Sequence, residues 1–367
     1  MTAPKKQRGV ALITAILVMA IATTAAVQMV YRQQLDIRRT ENVLAHDQAY
    51  DAALAAEDVI RALLTRSLAE TKRPIRREDL EQVSARFQNF SYWGVQFSLQ
   101  VEDLQGRFNL NNMVADGKAS QAHVEQFRRL AGLVGGDDVS IKLNGNYTDL
   151  DQAIVDWIDD NVQAQIPGGG EDDFYSRTVG RYRTANQPMA GASELRLVLQ
   201  LHTGNKTKLA ESWYRALRPY VTALPRDTTV NVNAASAEVL ASLLPDGSLK
   251  DAKQAVEERR DEAYADVDDF LKRNPAFDTE KLDPSMLGTE SDFYLAIIHT
   301  HAARANITLY SVLQRGGGEM GSAAAQDIMR QAAQGQMPSA EAAQKAMQQA
   351  ALSGGGLHVV LRSETRP

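Results

Sequence analysis

The sequence predicts an α+β protein. A long N-terminal membrane-spanning helix leads into a head with a small antiparallel sheet, and a large, mainly helical domain is inserted into that head. Three observations support this prediction. The chain has no glycine or proline from Val10 to Arg73, and apolar and polar residues alternate near Val95 and again near Phe293. Between those two alternating segments, the apolar residues have helical spacing instead.

The first element is predicted to be one continuous helix over residues 10–73. Glycine and proline supply roughly one residue in ten of an average protein, so their absence indicates an unbroken helix of roughly 95 Å. The uncharged run from Val10 to Val30 is long enough to cross a bilayer. Since Lys5, Lys6 and Arg8 precede it, the N-terminus should stay in the cytoplasm and the rest be exported. Beyond Tyr31 the helix becomes amphipathic and can pack on a head.

The residues around Gly9 resemble a type IV prepilin signal: a basic leader, Gly9, Val10 and then Ala-Leu-Ile-Thr-Ala-Ile-Leu-Val. The resemblance implies that prepilin peptidase cuts after Gly9 and methylates the amine of Val10, leaving the helix as anchor and assembly spine. Two other interpretations stay open, an ordinary secretory signal cut among the small residues Ala22 to Ala26 and an anchor that is never processed. The glycine beside the apolar run favours the prepilin.

Thr14 departs from the pilin pattern, because most pilins carry glutamate at this fifth mature position. In that family the glutamate offsets the charged amine of a neighbouring subunit inside an apolar bundle, where an unpaired charge is costly. A subunit with threonine there is expected at the end of a filament, where no subunit above needs its carboxylate.

The head is predicted to begin after the stalk, with a strand at Val95 to Val101 and, much later, strands at Phe293 to His301, Ala305 to Gln314 and around Leu357 to Leu361. The helical block between them indicates an insertion. The predicted organisation is a leader at 1–9, a transmembrane and stalk helix at 10–73, a pilin-like head at 74–105 with 291–367, and an inserted helical domain at 106–290. Residues 316–356, rich in alanine and glutamine between triple glycines, are predicted to be a flexible insertion within the head.

Several motifs then resemble, in order, those of the type II secretion system protein K family, the large minor pseudopilins. They are Leu104-Gln105-Gly106-Arg107-Phe108-Asn109-Leu110-Asn111-Asn112, Asp156-Trp157-Ile158-Asp159, Gly170-Glu171-Asp172, Ser193-Glu194-Leu195 and Val232-Asn233-Ala234-Ala235. The resemblance implies a tip complex with other, smaller minor pseudopilins, resting on the major pseudopilin. It implies a single-pass inner-membrane protein whose head lies in the periplasm, and a place at the pseudopilus tip after assembly.

Carboxylates concentrate between Lys142 and Arg177, where eight occur without one basic residue. Oxygen ligands without cysteine or histidine suit calcium, and the family resemblance also implies calcium. The spacing is not that of an EF-hand, because the sixth and twelfth residues from Asp159 are Ala164 and Gly170. From the residues alone, an ion site and a solvated acidic loop stay equally open. The predicted ligands are Asp156, Asp159, Asn161, Gln163, Ile166, Glu171, Asp172 and Asp173.

Composition and motifs argue against several functions. The chain has no cysteine for disulfides or thiol chemistry, and its formal net charge of -6 argues against a nucleic-acid surface. The segment Val230 to Leu240 resembles the opening of helix-hairpin-helix modules and loosely repeats Asn109-Leu110-Asn111, but acidic residues surround the turn after it. No hydrolase or nucleotide-binding motif is complete, and His299 and His301 share only a strand face. We therefore expect no enzyme and no nucleic-acid binding.

The function predicted from sequence is that of a minor pseudopilin that helps to start or cap the pseudopilus of type II secretion. Two alternatives stay open: a type IV pilus or competence pilin that contacts DNA, and a periplasmic calcium-binding protein tethered by its helix. Salt-dependent DNA binding by the head would favour the first. Function with an unrelated anchor in place of residues 1–30 would favour the second.

Overall fold

The computed structural model describes residues 8–366 except 71–72, 89, 93, 135–147, 166–168, 177–181, 203–206, 278–281 and 317–355. Most of the predicted leader, the proposed ligand Ile166 and nearly all of the 316–356 insertion therefore lie outside the described residues. Helix α1 (Arg8–Glu70) contains 63 residues in one unbroken run. Its last described residue is Glu70, and Arg73, the predicted end, is not helical, because the residue before a proline, here Pro74, avoids helical backbone. By length and composition α1 can cross a membrane.

The head contains a five-stranded antiparallel sheet whose strands lie side by side in chain order. The four predicted strand segments are confirmed with small shifts at their ends, and a short edge strand, β1, was not predicted. A bulge between Val312 and Leu313 interrupts the pairing with the last strand. The strands are β1 (Phe90–Tyr92), β2 (Val95–Asp103), β3 (Phe293–Ala302), β4 (Ala305–Arg315) and β5 (Leu357–Ser363).

The second half of α1 packs on one face of this sheet. Ala53, Ile60 and Leu64 are buried there against Leu99 and Ile298. The first half has no such cover, since its large apolar residues from Leu12 to Leu44 are exposed. The sequence predicted this division between an apolar and an amphipathic half.

An ion pair between a buried carboxylate and a half-exposed arginine connects α1 to the last strand. The side chain of Glu57 is 1% exposed, and its two oxygens accept hydrogen bonds from Arg362 at 2.9 and 2.7 Å. The hydroxyl of Ser311 on β4 donates a further bond to the same carboxylate. Helix α1, β4 and β5 are therefore joined through one fully partnered carboxylate.

The short helix α2 (Arg77–Arg86) was not predicted. It lies against β2, where the Ser84 hydroxyl accepts from the Val101 amide at 3.0 Å. Few of its side chains are apolar, and Leu80 is the one large apolar residue that it buries. Too little apolar periodicity remained to indicate a helix.

The chain between β2 and β3 folds as the predicted, mainly helical insertion around its own core of buried aromatic and aliphatic residues. The apolar spacing predicts six helices here, and all six are present within a few residues of their expected ends, whereas α5 and α7 were missed. The predicted bounds are His123 to Val134, Asp149 to Asp160, Glu194 to Leu201, Ala235 to Leu244, Leu249 to Ala263 and Val267 to Arg273. The helices are α3 (Gln121–Val134), α4 (Thr148–Ile158), α5 (Asp172–Tyr175), α6 (Leu195–His202), α7 (Thr207–Leu217), α8 (Ala237–Leu243), α9 (Leu249–Asp261) and α10 (Val267–Arg273).

The insertion contains two units of similar local construction, as the loose Asn-x-Asn repeat predicts. In the first, Asn109 Oδ1 accepts from the Asn111 amide at 3.2 Å. In the second, Asn231 Oδ1 accepts from the Asn233 amide at 2.9 Å. In each unit the first asparagine is the last residue of a two-residue strand, and this strand has a parallel partner at the end of the unit. The paired strands are Phe108–Asn109 with Val221–Thr222 and Val230–Asn231 with Leu287–Gly288.

Asp103 lies where β2 leaves the sheet for the insertion. Its Oδ1 accepts from the Gln105 amide at 2.8 Å, and its Oδ2 accepts from Asn231 Nδ2 at 3.2 Å. Burial raises the pKa of Asp103 to about 6, although these hydrogen bonds act in the opposite direction. The Gly106 amide also donates to Oδ1, at 3.3 Å, so one carboxyl group connects the end of the sheet with both units of the insertion.

Candidate cation site in the inserted domain

Helix α4 positions the first two carboxylates of the site. Its apolar residues Ile154, Val155 and Ile158 are buried in the core of the insertion and fix the rotation of the helix. Asp156 lies within its last turn and is 0% exposed, and Asp159 follows directly and is 1% exposed. The packing of α4 on the core therefore buries two carboxylates at the end of this helix.

The chain after α4 returns to Asp156 through a glycine. The Gln165 amide donates to Asp156 Oδ2 at 2.9 Å, and the Gly169 amide donates to the Gln165 carbonyl at 2.7 Å. A Cβ atom on Gly169 would stand 2.0 Å from Asp156 Oδ2, a distance that no side chain allows. Only glycine therefore lets the backbone come this close to the carboxylate.

Glu171 is the third buried carboxylate and is 9% exposed. Its Oε2 accepts from the Thr184 hydroxyl at 3.2 Å, so a segment further along the chain closes over it. The same segment carries Asn186, whose Nδ2 donates to the Asn161 carbonyl at 3.3 Å. Asn186 has a left-handed backbone with φ of 45°, which asparagine tolerates better than most residues.

Four buried oxygens at this place have no hydrogen-bond partner among the described residues. They are Asp156 Oδ1, Asp159 Oδ1, Glu171 Oε1 and Asn186 Oδ1. A buried polar atom without a partner is costly, and a buried carboxylate more so. Four hard oxygen donors without a protein donor are the chemistry that calcium satisfies, so the residues present fit this ion.

The electrostatics also favour a cation. Burial raises the pKa of Asp156 to about 6, and the nearby Asp159 raises it further. Burial is the largest cause that raises the pKa of Glu171 to about 7, and repulsion from Asp156 is the second largest. Burial likewise raises the pKa of Asp159. These carboxylates repel one another and hold protons more strongly than usual, so a bound divalent ion would remove a real electrostatic cost.

The remaining predicted ligands that the structure describes are exposed. Asn161 and Gln163 are exposed, and Asn161 Oδ1 is already used by the Gln163 amide at 2.8 Å. Asp172 and Asp173 are exposed in the first turn of α5, and Asp172 accepts from the Thr184 amide at 3.2 Å. Three of the predicted ligands are therefore buried with a free oxygen, and four of the others lie at the rim.

Two residues of the candidate cation site were not predicted from the sequence. Thr184 and Asn186 carry no charge and lie more than a dozen residues after Glu171, so no spacing signal connects them to it. No three acidic, histidine or cysteine side chains of the described segments already surround one point. An ion would therefore also draw on amide and backbone oxygens, as calcium sites commonly do.

An aromatic cluster supports the site from behind. The ring of Trp157 lies 5.2 Å from that of Tyr175 and 6.2 Å from that of Tyr182, between ring centroids. Trp157 Nε1 donates to Glu194 Oε2 at 3.1 Å, and Tyr182 donates to the Leu197 carbonyl at 2.9 Å. The loop that holds Thr184 and Asn186 is thus anchored to α6.

The second helical unit lacks the features with which a helical hairpin binds phosphate. The turn between α8 and α9 contains Gly247, but the Ser248 amide there already donates to Asp246 Oδ1 at 3.2 Å. Arg259 of α9 is buried and donates to the Val232 carbonyl at 2.9 Å. The turn therefore exposes the carboxylate of Asp246 to solvent, and Arg259 is used in contacts within the domain.

Comparisons with known proteins agree in pointing to one family. Two family models, both described as type II secretion system (T2SS), protein K, match residues 106–226 and 230–290. A type II secretion system protein K of Pseudomonas aeruginosa is 34% identical over 317 residues, covering 84% of this chain and 89% of that protein. The protein K of Klebsiella pneumoniae is 29% identical over 328 residues, covering 86% and 95%.

The fold is similar to a solved structure as well. One chain of the crystal structure of the GspK-GspI-GspJ complex from the enterotoxigenic Escherichia coli type 2 secretion system matches with a TM-score of 0.60 at 24% identity. The match covers 76% of this chain and 95% of that chain. The predicted α+β architecture of stalk helix, small sheet and helical insertion is confirmed. From the identity and coverage of its relatives, this chain belongs to the type II secretion system protein K family of minor pseudopilins.

Proposed function

We propose that this minor pseudopilin occupies the tip of the periplasmic pseudopilus and helps to start or cap its assembly. The observation that carries the proposal is the position of the insertion at the far end of α1. Just past that end, the Arg77 amide donates to the Asn233 carbonyl at 3.1 Å, and Arg76 donates to the Arg259 carbonyl at 3.2 Å. A bulky domain beyond the end of the stalk would block the addition of a subunit above it.

Thr14 supports the same position. Its hydroxyl donates to the Ala11 carbonyl at 3.0 Å within its own helix. The side chain is satisfied locally and offers no charge to the amine of a neighbouring subunit. A subunit of this kind has no requirement for a neighbour above it, which is the situation at the end of a filament.

The stalk provides the surface for assembly. Apolar side chains of its first half are exposed all around the helix, and exposure of this kind requires lipid, other helices, or both. We propose a single pass through the inner membrane, with the head in the periplasm and the stalk packed on the major pseudopilin. The GspK-GspI-GspJ complex is named for three proteins, and we propose two smaller minor pseudopilins as the partners of this chain too.

Within the head we propose a structural calcium ion rather than a catalytic one, and no enzymatic activity. Asp156, Asp159 and Glu171 would hold the ion, with Asn186 contributing an amide oxygen. When bound, calcium supplies positive charge in a loop that otherwise repels itself. Gly169 has no side chain, so the backbone can approach Asp156 closely. The Thr184 hydroxyl connects the later loop to Glu171.

The leader gives the direct test of this class of function. Intact mass and N-terminal sequence would be determined for the protein made with and without prepilin peptidase. We expect a peptidase-dependent product that starts at methylated Val10. A product cut among Ala22 to Ala26, or one never cut, would contradict assembly as a pseudopilin.

A test of tip assembly follows from the exposed stalk. The full-length chain would be produced in membranes with the two smaller minor pseudopilins and crosslinked before extraction in detergent. We expect a ternary complex that forms with prepilin peptidase and is lost without it. A complex that forms equally well with the leader uncut would contradict the proposed role of processing.

A further inference from the structure

The outer face of the sheet, opposite the stalk, contains two exposed histidines. His299 and His301 lie on the central strand β3, two residues apart, so both side chains point to the same face. Along β3 the same face carries Phe293, Leu295 and Ile297, which are covered by the insertion. The first part of this face along β3 is therefore apolar and covered, and the second part is exposed and carries the two histidines.

Both imidazoles are oriented by the neighbouring strand. His299 Nδ1 lies 2.8 Å from Thr308 Oγ1, and His301 Nδ1 lies 2.6 Å from Asn306 Oδ1. In the sheet register Thr308 is directly opposite His299, and Asn306 is directly opposite His301. The two rings consequently lean toward the same strand, and each has its Nδ1 atom occupied.

This arrangement leaves the two Nε2 atoms as the free ring nitrogens. The amide oxygen of Asn306 can only accept, so His301 donates from Nδ1 and its Nε2 carries the lone pair. A histidine that ligates a metal typically donates its other ring nitrogen to a protein oxygen, which fixes the tautomer and the ring orientation. His301 already has that tautomer, and Thr308 can impose it on His299.

The surroundings leave space for a ligand in front of the rings. On the other side of β3, the residues opposite His301 and His299 are Gln96 and Ser98, which are neutral and add no competing charge. Residues two apart on a strand are about 6.6 Å apart along the backbone. Two imidazoles at this spacing can incline toward each other about their Nδ1 contacts, so that both Nε2 atoms ligate one ion at about 2.0 to 2.1 Å each.

We propose that His299 and His301 form a two-histidine site for a divalent transition-metal ion of the zinc class. Imidazole nitrogens suit zinc, copper and nickel, whereas calcium prefers the oxygens of the acidic loop. No third acidic, histidine or cysteine side chain joins the pair within the described residues. Water, or a donor from a neighbouring molecule, completes the coordination.

The test uses the full-length protein in detergent, carrying no polyhistidine tag, with calcium in excess so that the acidic loop is occupied. Zinc is titrated in and followed by calorimetry. We expect one zinc per chain, and an affinity at least about tenfold lower in His299→Asn and in His301→Asn. His46→Asn is the matched control, because His46 is an exposed histidine on the stalk, and it should leave the affinity unchanged.

Asn306→Leu distinguishes an oriented site from two independent histidines. It keeps both ligands and removes the acceptor for His301, and we expect about a tenfold loss of zinc affinity. Melting temperatures of all variants serve as the check on folding. Absence of zinc binding by the unmodified chain, or binding that persists when both His299 and His301 are replaced, would overturn the proposal.

Discussion

Buried carboxylates occur both at the contact of stalk and sheet and in the inserted domain, but they are neutralised differently. Glu57 accepts from Arg362 and Ser311, so its charge has a cation and a hydroxyl from the same chain. No described basic side chain forms a hydrogen bond or ion pair with Asp156, Asp159 or Glu171, and each of these keeps a buried oxygen without a partner.

The difference indicates which part of the head can reach its folded state without a bound ion. The stalk and sheet carry their counter-charge within the chain, so their stability should not depend on ions in the medium. For the acidic loop we propose that a bound external cation supplies this counter-charge. A periplasmic protein built in this way could couple the order of its inserted domain to calcium while its stalk stays assembled.

The largest expected effect comes from breaking the internal pair. Arg362→Ala removes the cation of the buried Glu57 carboxylate. Because Arg362 is itself 46% exposed, we expect a loss at the lower end of the range for buried pairs, about 3 kcal/mol in the free energy of unfolding. Chemical denaturation with and without calcium would measure it, and the loss should be equal in both. Arg315→Ala, which breaks the more exposed pair with Glu290, is the control and should cost less than about 1 kcal/mol.

The next effect concerns the approach of the loop to Asp156. Gly169→Ala places a Cβ atom against that carboxylate, and we expect it to abolish the stabilisation by calcium, about 2.7 kcal/mol when calcium is at a hundred times its dissociation constant. Gly132→Ala is the matched control, because Gly132 in α3 has no atom within 4 Å of an added Cβ. An equal response to calcium in both variants would show that the loop does not form the site.

A smaller effect is expected from the group that connects the two regions. The pKa of Asp103 is about 6 in the folded chain against an ordinary value of 3.8, so the folded state binds the proton more strongly. Stability should therefore fall as pH rises through this window, by about 1 to 2 kcal/mol after allowing for the partial exposure of the residue. Asp103→Asn should flatten this dependence, measured with calcium in excess. A pH dependence identical in variant and parent would contradict this assignment.

The smallest effect concerns the loop that closes over Glu171. Thr184→Val removes the hydroxyl that donates to Glu171, and we expect a loss of about 1 kcal/mol. Thr184→Ser keeps the hydroxyl and is the control. Thermal unfolding in calcium would measure both, and a loss as large in the serine variant would assign the effect to packing of the methyl group.

How far the sequence predicted these regions depends on how local the cause is. The absence of glycine and proline predicts α1, and alternation along β2, β3 and β4 predicts the strands, because these patterns act between near neighbours. A run of acids without basic residues identified Asp156, Asp159 and Glu171. Asn186 could not be found in this way, since its place depends on a left-handed turn and on contacts across the insertion.

The pairing of Glu57 with Arg362 was missed for a similar reason. These residues are 305 positions apart, and only the order of the sheet brings β5 over the stalk helix. The helices α2 and α7 were missed as well. Helix α7 buries Trp213, Tyr214 and Leu217, a spacing that fits a helix, but Gly204-Asn205-Lys206-Thr207 at its start resembles a fragment of a phosphate-binding loop and drew the interpretation away from a helix.

We expect the stability of the inserted domain to depend on an external cation and that of the stalk and sheet not to. Differential scanning calorimetry of the full-length protein in detergent, with calcium and then with a chelator in the same buffer, tests it most directly. We expect chelation to lower the melting temperature of the inserted domain and to leave a second, calcium-independent transition, and we expect Asp156→Asn to abolish the response. Identical melting curves with calcium and with chelator would contradict it.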